Sequence, residues 1–195
     1  MKVSVSRFFN QIKASRQHLA SFCLLLLTCL LLLGIPPAFA GIEDDHFDGN
    51  VFVLYGGNAS LVPPKVKLAE SLQRDKPTLL IFYVDDSSDC KRFATVATRL
   101  QAFYGRVVDF IPVSVDTILP DANYTSTESG YYYQGAVPQV VVFNQSGEVV
   151  FNDKGQVSFE QVDDVMRQLF NLLPRSESVE LKRRSINEFN TELAE

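Results

Sequence analysis

One thiol, one imidazole and a knot of carboxylates are what the greater part of this chain offers for chemistry. Beyond residue 40 the single Cys is Cys90 and the single His is His46. Cys90 ends the stretch Asp85-Asp86-Ser87-Ser88-Asp89-Cys90 and is followed by Lys91 and Arg92. A cysteine reacts as its thiolate. Asp85, Asp86 and Asp89 oppose that ionisation, while Lys91, Arg92 and a helix N-terminus favour it. With these effects opposed, Cys90 reads as a small, inert residue in the first turn of a helix; the alternative is a single reactive thiol that forms mixed disulfides. Ser87 as a nucleophile would need a His base, and His46 falls in what reads as a linker, so Ser87 is expected to be an N-cap. One Cys and one His cannot assemble a zinc or iron–sulfur site. The acidic cluster also lacks the Gly and the terminal Glu of a calcium loop. No metal or cofactor is expected.

Two unlike pieces carry these residues. The whole chain of 195 residues has 18 basic and 23 acidic side chains, a net charge of −5. Residues 1–40 hold four basic residues (Lys2, Arg7, Lys13, Arg16) and no acidic ones, which leaves residues 41–195 at −9. A body so acidic lacks the basic footprint that nucleic acid requires. Leu19 to Leu33 is an apolar run with nine Leu, followed by Ile35-Pro36-Pro37 and the small-x-small triplet Ala38-Phe39-Ala40. That is the layout of a secretory signal. Residues 1–40 are therefore a signal peptide cleaved before Gly41 or, since Leu19 to Ile35 approaches the roughly 17–25 residues that span a bilayer, an uncleaved anchor; the triplet favours cleavage. Either way the basic residues stay behind and the acidic body is exported. Cys23 and Cys29 lie inside the run and read as apolar filler.

The body divides into a linker and short strand (41–63), a main domain (64–173) and a charged tail (174–195). Residues 41–50 are polar and read as a mobile linker. Val51 to Tyr55 predicts a short strand stopped by Gly56-Gly57, and Pro64 opens a helical stretch through Arg74. Thr78 to Val84 is continuously apolar, as in a central strand covered on both faces. A helix follows from about Cys90 to Tyr104, closed by Gly105, with Phe93, Val96, Ala97 and Leu100 on its buried face. Val107 to Val115 predicts a second buried strand, and residues 117–135 a surface insertion with a short helix. Gln139 to Phe143 and Glu148 to Asn152, joined by Asn144-Gln145-Ser146-Gly147, predict a hairpin. Ser158 and Gln161 form a capping box before a helix to Leu173, stopped by Pro174. The order gives an α/β fold with a mixed central sheet flanked by helices.

That order, with Phe82-Tyr83-Val84-Asp85-Asp86-Ser87-Ser88-Asp89-Cys90-Lys91 after a buried strand, resembles the thioredoxin-like superfamily. There an aromatic-rich strand ends in Trp-Cys-Gly-Pro-Cys-Lys and the Cys pair opens the next helix. Cys90-Lys91 matches the second Cys and its Lys, Ser87 stands at the first Cys, and Gly135-Ala136-Val137-Pro138 resembles the family's Gly-Ile-Pro turn, which makes Pro138 a cis candidate. The resemblance implies a thioredoxin-like fold over about residues 64–173. It also implies lost redox chemistry. Ser87 cannot supply the attacking thiolate, and Ile81 stands where the family carries a buried acid. Within the superfamily, an exported acidic body with a degenerate Ser-x-x-Cys is similar to the cyanobacterial thylakoid membrane photosystem I accumulation factors. This likeness implies a thylakoid location and photosystem I subunits or assembly intermediates as partners.

In the family the backbone of the residue before the turn's Pro pairs with an extended client segment, a form of strand addition. By resemblance Val137 and Pro138 are thus the candidate binding residues, against a purely structural turn. The tail carries Val179, Ile186, Phe189 and Leu193 among many charges, a thin apolar stripe or a solvated terminus. The function expected is a non-catalytic assembly or accumulation factor for a membrane complex, with a monothiol oxidoreductase acting through Cys90 as the alternative.

Overall fold

The computed structural model describes residues 21–30, 41–120 and 123–178. The chain forms two units, divided between Ala40 and Gly41. In the first, residues 21–30 are helical with exposed side chains. Among the described residues no helix is long and apolar enough to cross a membrane. The signal, and the tail stripe from Val179 onward, lie largely or wholly outside the described residues.

In the second unit, four strands make one mixed sheet: β1 (Thr78–Tyr83), β2 (Asp109–Ser114), β3 (Gln139–Phe143) and β4 (Val149–Lys154). Their order is β2-β1-β3-β4, with β1 parallel to β2, and β3 antiparallel to both β1 and β4. All six residues of β1 are buried. Their side chains alternate between faces: Leu79 and Ile81 enter one core, Leu80 and Phe82 the other. The first core lies under the long helix α3 (Ser88–Tyr104), through Phe93, Ala97 and Leu100, and under α4 (Phe159–Leu169), through Val162 and Met166. The second is closed by the short helix α2 (Leu68–Ser71) and by the 117–135 insertion, whose Tyr132 and Tyr133 pack on Phe143 and Phe82. A 3₁₀ turn, Ser129–Tyr132, stands where a short helix was expected, and another, Val115–Thr117, follows β2.

Five expectations need correction. Val51 to Tyr55 is not a strand: Val51–Leu54 is a helix, α1, because the Asn50 side chain accepts hydrogen bonds from the Phe52 and Val53 amides and caps it. The helix after Pro64 shrinks to α2, since Ser71 turns to hydrogen-bond with Thr78 and Asp109 and ties this segment to the sheet. Without a strand from α1, β2 becomes an edge, half-buried rather than covered; its Pro112 has no N–H to leave unpaired. Helix α4 ends at Leu169 rather than Leu173. Asn171 takes φ 51°, and the Leu172 and Asn171 amides reach back to the Arg167 and Gln168 carbonyls, a Schellman closure. Residues 41–50 are docked rather than mobile, as described below.

Glycine is required at position 56 by close approach rather than by φ. A Cβ there would lie 2.7 Å from both the Phe52 carbonyl oxygen and Thr98 Oγ1, and 3.0 Å from the Ala94 carbonyl oxygen. Thr98 Oγ1 is itself buried without a partner among the described residues. Gly56→Ala should therefore push α1 off α3 and lower stability by about 1–3 kcal/mol, read as a fall in the denaturant midpoint with unchanged slope. An unchanged midpoint would show that this packing is looser than described.

Candidate functional site

The expected chemical residues meet where β1 delivers the chain to α3. Ser87 leaves the strand with extended backbone (φ −95°, ψ 125°) and its Oγ accepts the Cys90 amide at 3.3 Å, so it is the N-cap. A second carboxylate cap comes from outside the motif, because Asp45 Oδ1 accepts the Ser88 amide at 2.7 Å. Two of the helix's first donors are thus satisfied by side-chain oxygens, at the point where the positive end of the helix dipole would otherwise act on a thiolate.

Cys90 is 1% exposed and packs in the core with Tyr83 and Phe93. Burial pushes its thiol pKa up, and the Asp89 and Asp85 carboxylates add to the rise against the Val84 and Ser87 hydrogen bonds. Ile81 is fully buried between Pro112 and Val140, with no ionisable group in its place. A serine hydroxyl and a buried, protonated thiol cannot together exchange a disulfide by the two-thiol route.

Lys91 and Arg92, counted in the sequence as neighbours able to ionise Cys90, point elsewhere. The Lys91 ammonium is wholly buried beneath residues 41–48. It donates to the Gly41 carbonyl at 2.8 Å, to the Asp44 carbonyl at 3.0 Å and carboxylate at 2.9 Å, and to the Asp48 carboxylate at 2.8 Å. Burial by itself would lower its pKa, and the bonds from Asp48 and Asp44 more than reverse this, so the charge is held firmly. The Tyr55 hydroxyl joins from the side, bonded to Asp48 and Gly41. Arg92 pairs with Glu43 and Asp89. Asp85 serves the same strap: its Oδ1 accepts the Val51 amide at 2.9 Å and the Asn50 side-chain amide at 3.1 Å. Its own pKa is raised, chiefly by burial. Residues 41–50 are therefore riveted over the start of α3. Sequence reasoning missed this because it needs partners some forty positions apart; a Lys between Cys90 and Phe93, at the edge of the helix's apolar face, was the one available hint.

Val137 and Pro138 sit at the same end of the sheet. The register pairs Phe82 with Gln139, so the Pro138 end of β3 adjoins the point where β1 leaves for Ser87. The Val137–Pro138 peptide is cis, as is Val62–Pro63. The Pro138 carbonyl accepts the Gly155 amide at 2.8 Å, while among the described residues no hydrogen bond engages the Val137 backbone. Val137 is half-buried and touches both cores. Buried Gln139 holds the turn in shape, accepting the Gln134 amide and donating to the Tyr132 carbonyl and to Asn152. Among the described residues no group of three His, Cys, Asp or Glu side chains is arranged to hold a metal ion.

The sequence of residues 64–170 matches the thioredoxin-like domain family. The chain belongs to that family. This thioredoxin-like protein is also 54% identical, over 158 residues, to the thylakoid membrane protein slr1796 of Synechocystis; the match spans 81% of this chain and 79% of that one. Mitochondrial thioredoxin 3 of Saccharomyces cerevisiae, in its oxidised form, aligns with 52% of this chain and 85% of its own at 20% identity and a TM-score of 0.41. In this thioredoxin-like protein, then, the junction of β1 and α3 carries the Ser87 cap and the buried Cys90, with Ile81 buried in the strand before it.

Proposed function

We propose that this thioredoxin-like protein is a non-catalytic assembly or accumulation factor for a membrane complex of the thylakoid, photosystem I being the complex in view. Its body lies on the exported side and holds extended client segments at the Val137–Pro138 turn. The observation that supports this reading is a capped helix start with a buried thiol lying beside an unpaired turn backbone. Ser87 and Asp45 cap the helix where a thiolate would act, Cys90 is sealed in the core, and the Val137 backbone next to the junction has no internal partner among the described residues. Strand addition to such a backbone needs no covalent step. The thylakoid part of the reading leans on the Synechocystis relative, whose name states a thylakoid membrane protein. The photosystem part leans on the sequence resemblance alone.

The experiment separates holding from redox exchange. In a chain carrying Cys23→Ser and Cys29→Ser, so that Cys90 is the sole thiol, a small alkylating reagent should label the protein in denaturant and leave it unlabelled when folded. Photosystem I subunits should co-purify with this chain from solubilised membranes without reductant-sensitive links. Fast labelling of folded protein, together with clients released by dithiothreitol, would replace this reading with the monothiol one.

A further inference from the structure

The way α4 ends builds a groove. The helix stops at Leu169, and the turn closed by Asn171 leaves Leu172 and Leu173 outside it. The chain then folds back onto the helix it has left. Arg175 donates to the Glu160 carbonyl at 2.7 Å and pairs with Asp163 and Asp164, while the Ser178 hydroxyl accepts from Arg167 and lies within bonding reach of the Leu173 and Pro174 carbonyls. Between this pinned segment, α4 and the C-terminal end of α3 lies a single cavity of about 930 Å³. Its apolar lining comes from all three: Phe103 of α3, Phe159 of α4, and Leu172 and Leu173. Phe103 is 46% exposed, Leu172 50% and Leu173 61%. Ser178, the last described residue, is itself part of the groove wall.

We propose that this groove is the docking site of the chain's own C-terminal tail, residues 179–195, which lays Val179, Ile186, Phe189 and Leu193 along it as one helical face. An exposed apolar surface of this kind on a charged body marks a contact with something apolar. Continuity of the chain selects the tail. At 100° per residue the four tail side chains fall within an arc of about 80°, and a helix from Val179 to Leu193 is about 21 Å long. A helix that short is marginal in water alone and is stabilised by burying its apolar face. Lys182, the one other residue in that arc, has Glu160 and Glu177 on the lining to meet it. Because Val179 directly follows the pinned Ser178, docking is intramolecular, with an effective concentration in the millimolar range that a second copy of the chain does not match. The inference does not rest on the client-holding reading: the groove lies at the Tyr104 end of α3, and the Ser87 junction at the other.

Trypsin reads the proposal, since Lys182, Arg183 and Arg184 put its sites in the middle of the tail. Release of the tail fragment from the full chain is followed by mass, and each rate is divided by that of a synthetic peptide of residues 178–195 with the same tail sequence. The parent should be cut on the order of tenfold more slowly than its peptide, as expected when cleavage follows the undocked population. Phe189→Asp in the tail, and Leu173→Asp or Phe103→Ser in the groove, should each return cleavage to the peptide rate; two groove variants are made so that one with an unchanged denaturant midpoint is in hand. Protection in the parent should stay constant over a hundredfold dilution. A parent tail cut as fast as its peptide would overturn the proposal. So would protection that survives both groove substitutions, which would seat the tail elsewhere, or protection that fades on dilution, which would assign the groove to a second copy.

Discussion

Lys91→Met should free residues 41–50 from the body. The acceptors now bonded to the ammonium would face an apolar side chain, two of them carboxylate oxygens. Removing one partner of a buried ion pair costs far more than an exposed pair is worth, because the remaining charges lose their compensation. The expected readout is cleavage: a protease acting in the 41–50 segment should cut the variant on the order of tenfold faster or more, following the opened population, while β1, α3 and the hairpin stay protected. Acid should act on the same contact. The pKa of Asp48 is lowered, first by its hydrogen bond from Lys91 and then by that from Tyr55; that of Asp45 is lowered by the Ser88 amide. A carboxylate depressed in the folded state contributes stability that is complete above its unfolded value, about 3.9, and is lost as pH falls through the folded one. Strap protection should thus be flat from neutral pH to about pH 5 and fail below about pH 4. A loss already complete near pH 6 would contradict this account of the contact.

Restoring the missing thiol should rebuild a disulfide without rebuilding an enzyme. Ser87 and Cys90 stand three residues apart at the start of a helix, where Cα atoms lie roughly 5–6 Å apart, inside the window a disulfide accepts. Ser87→Cys should therefore oxidise to an internal bond between the introduced thiol and Cys90, seen as the loss of free thiol at position 90 in denaturant. The parent chain should leave insulin disulfides at the uncatalysed rate with either a dithiol or a reductase as donor. The variant should remain slow as well, since Asp45 sits on the helix terminus and Ile81 supplies no proton path. Turnover comparable to a two-cysteine thioredoxin in the parent would sink the non-catalytic reading. Failure of the introduced thiol to pair would break the alignment on which the degenerate motif rests.

The parts of this molecule that were legible in its sequence are those set by near neighbours. The unbroken apolar run of β1, the Ser87 cap, the 3,4 spacing of α3, the four-residue turn of the hairpin and the Ser158–Gln161 capping box each follow from residues within a turn or two of one another, and each is present. Errors arose where distant contacts decide. Val51 to Tyr55 is apolar enough for a strand, yet Asn50 caps it into a helix whose Val51 and Phe52 enter the core beside α3. Asn171 closes α4 in the left-handed conformation, where a Gly would have announced the stop. The strap was least legible. A stretch with Glu43, Asp44, Asp45 and Asp48 reads as solvated until Lys91 is known to lie beneath it. The candidate site was legible as a motif, in Ser87, Cys90, Val137 and Pro138, but the cap from Asp45 and the support from Gln139 were not.

The central claim is that this fold acts by holding rather than by thiol exchange, and one substitution tests it in the cell. Cys90→Ala removes the body's only thiol and leaves the Val137–Pro138 turn in place. A strain whose sole copy carries Cys90→Ala, with the variant protein present at the parent's level, should accumulate photosystem I as the parent strain does. Photosystem I falling to the level of a strain lacking the protein altogether, at equal abundance of the variant, would contradict the account and place the function on the thiol.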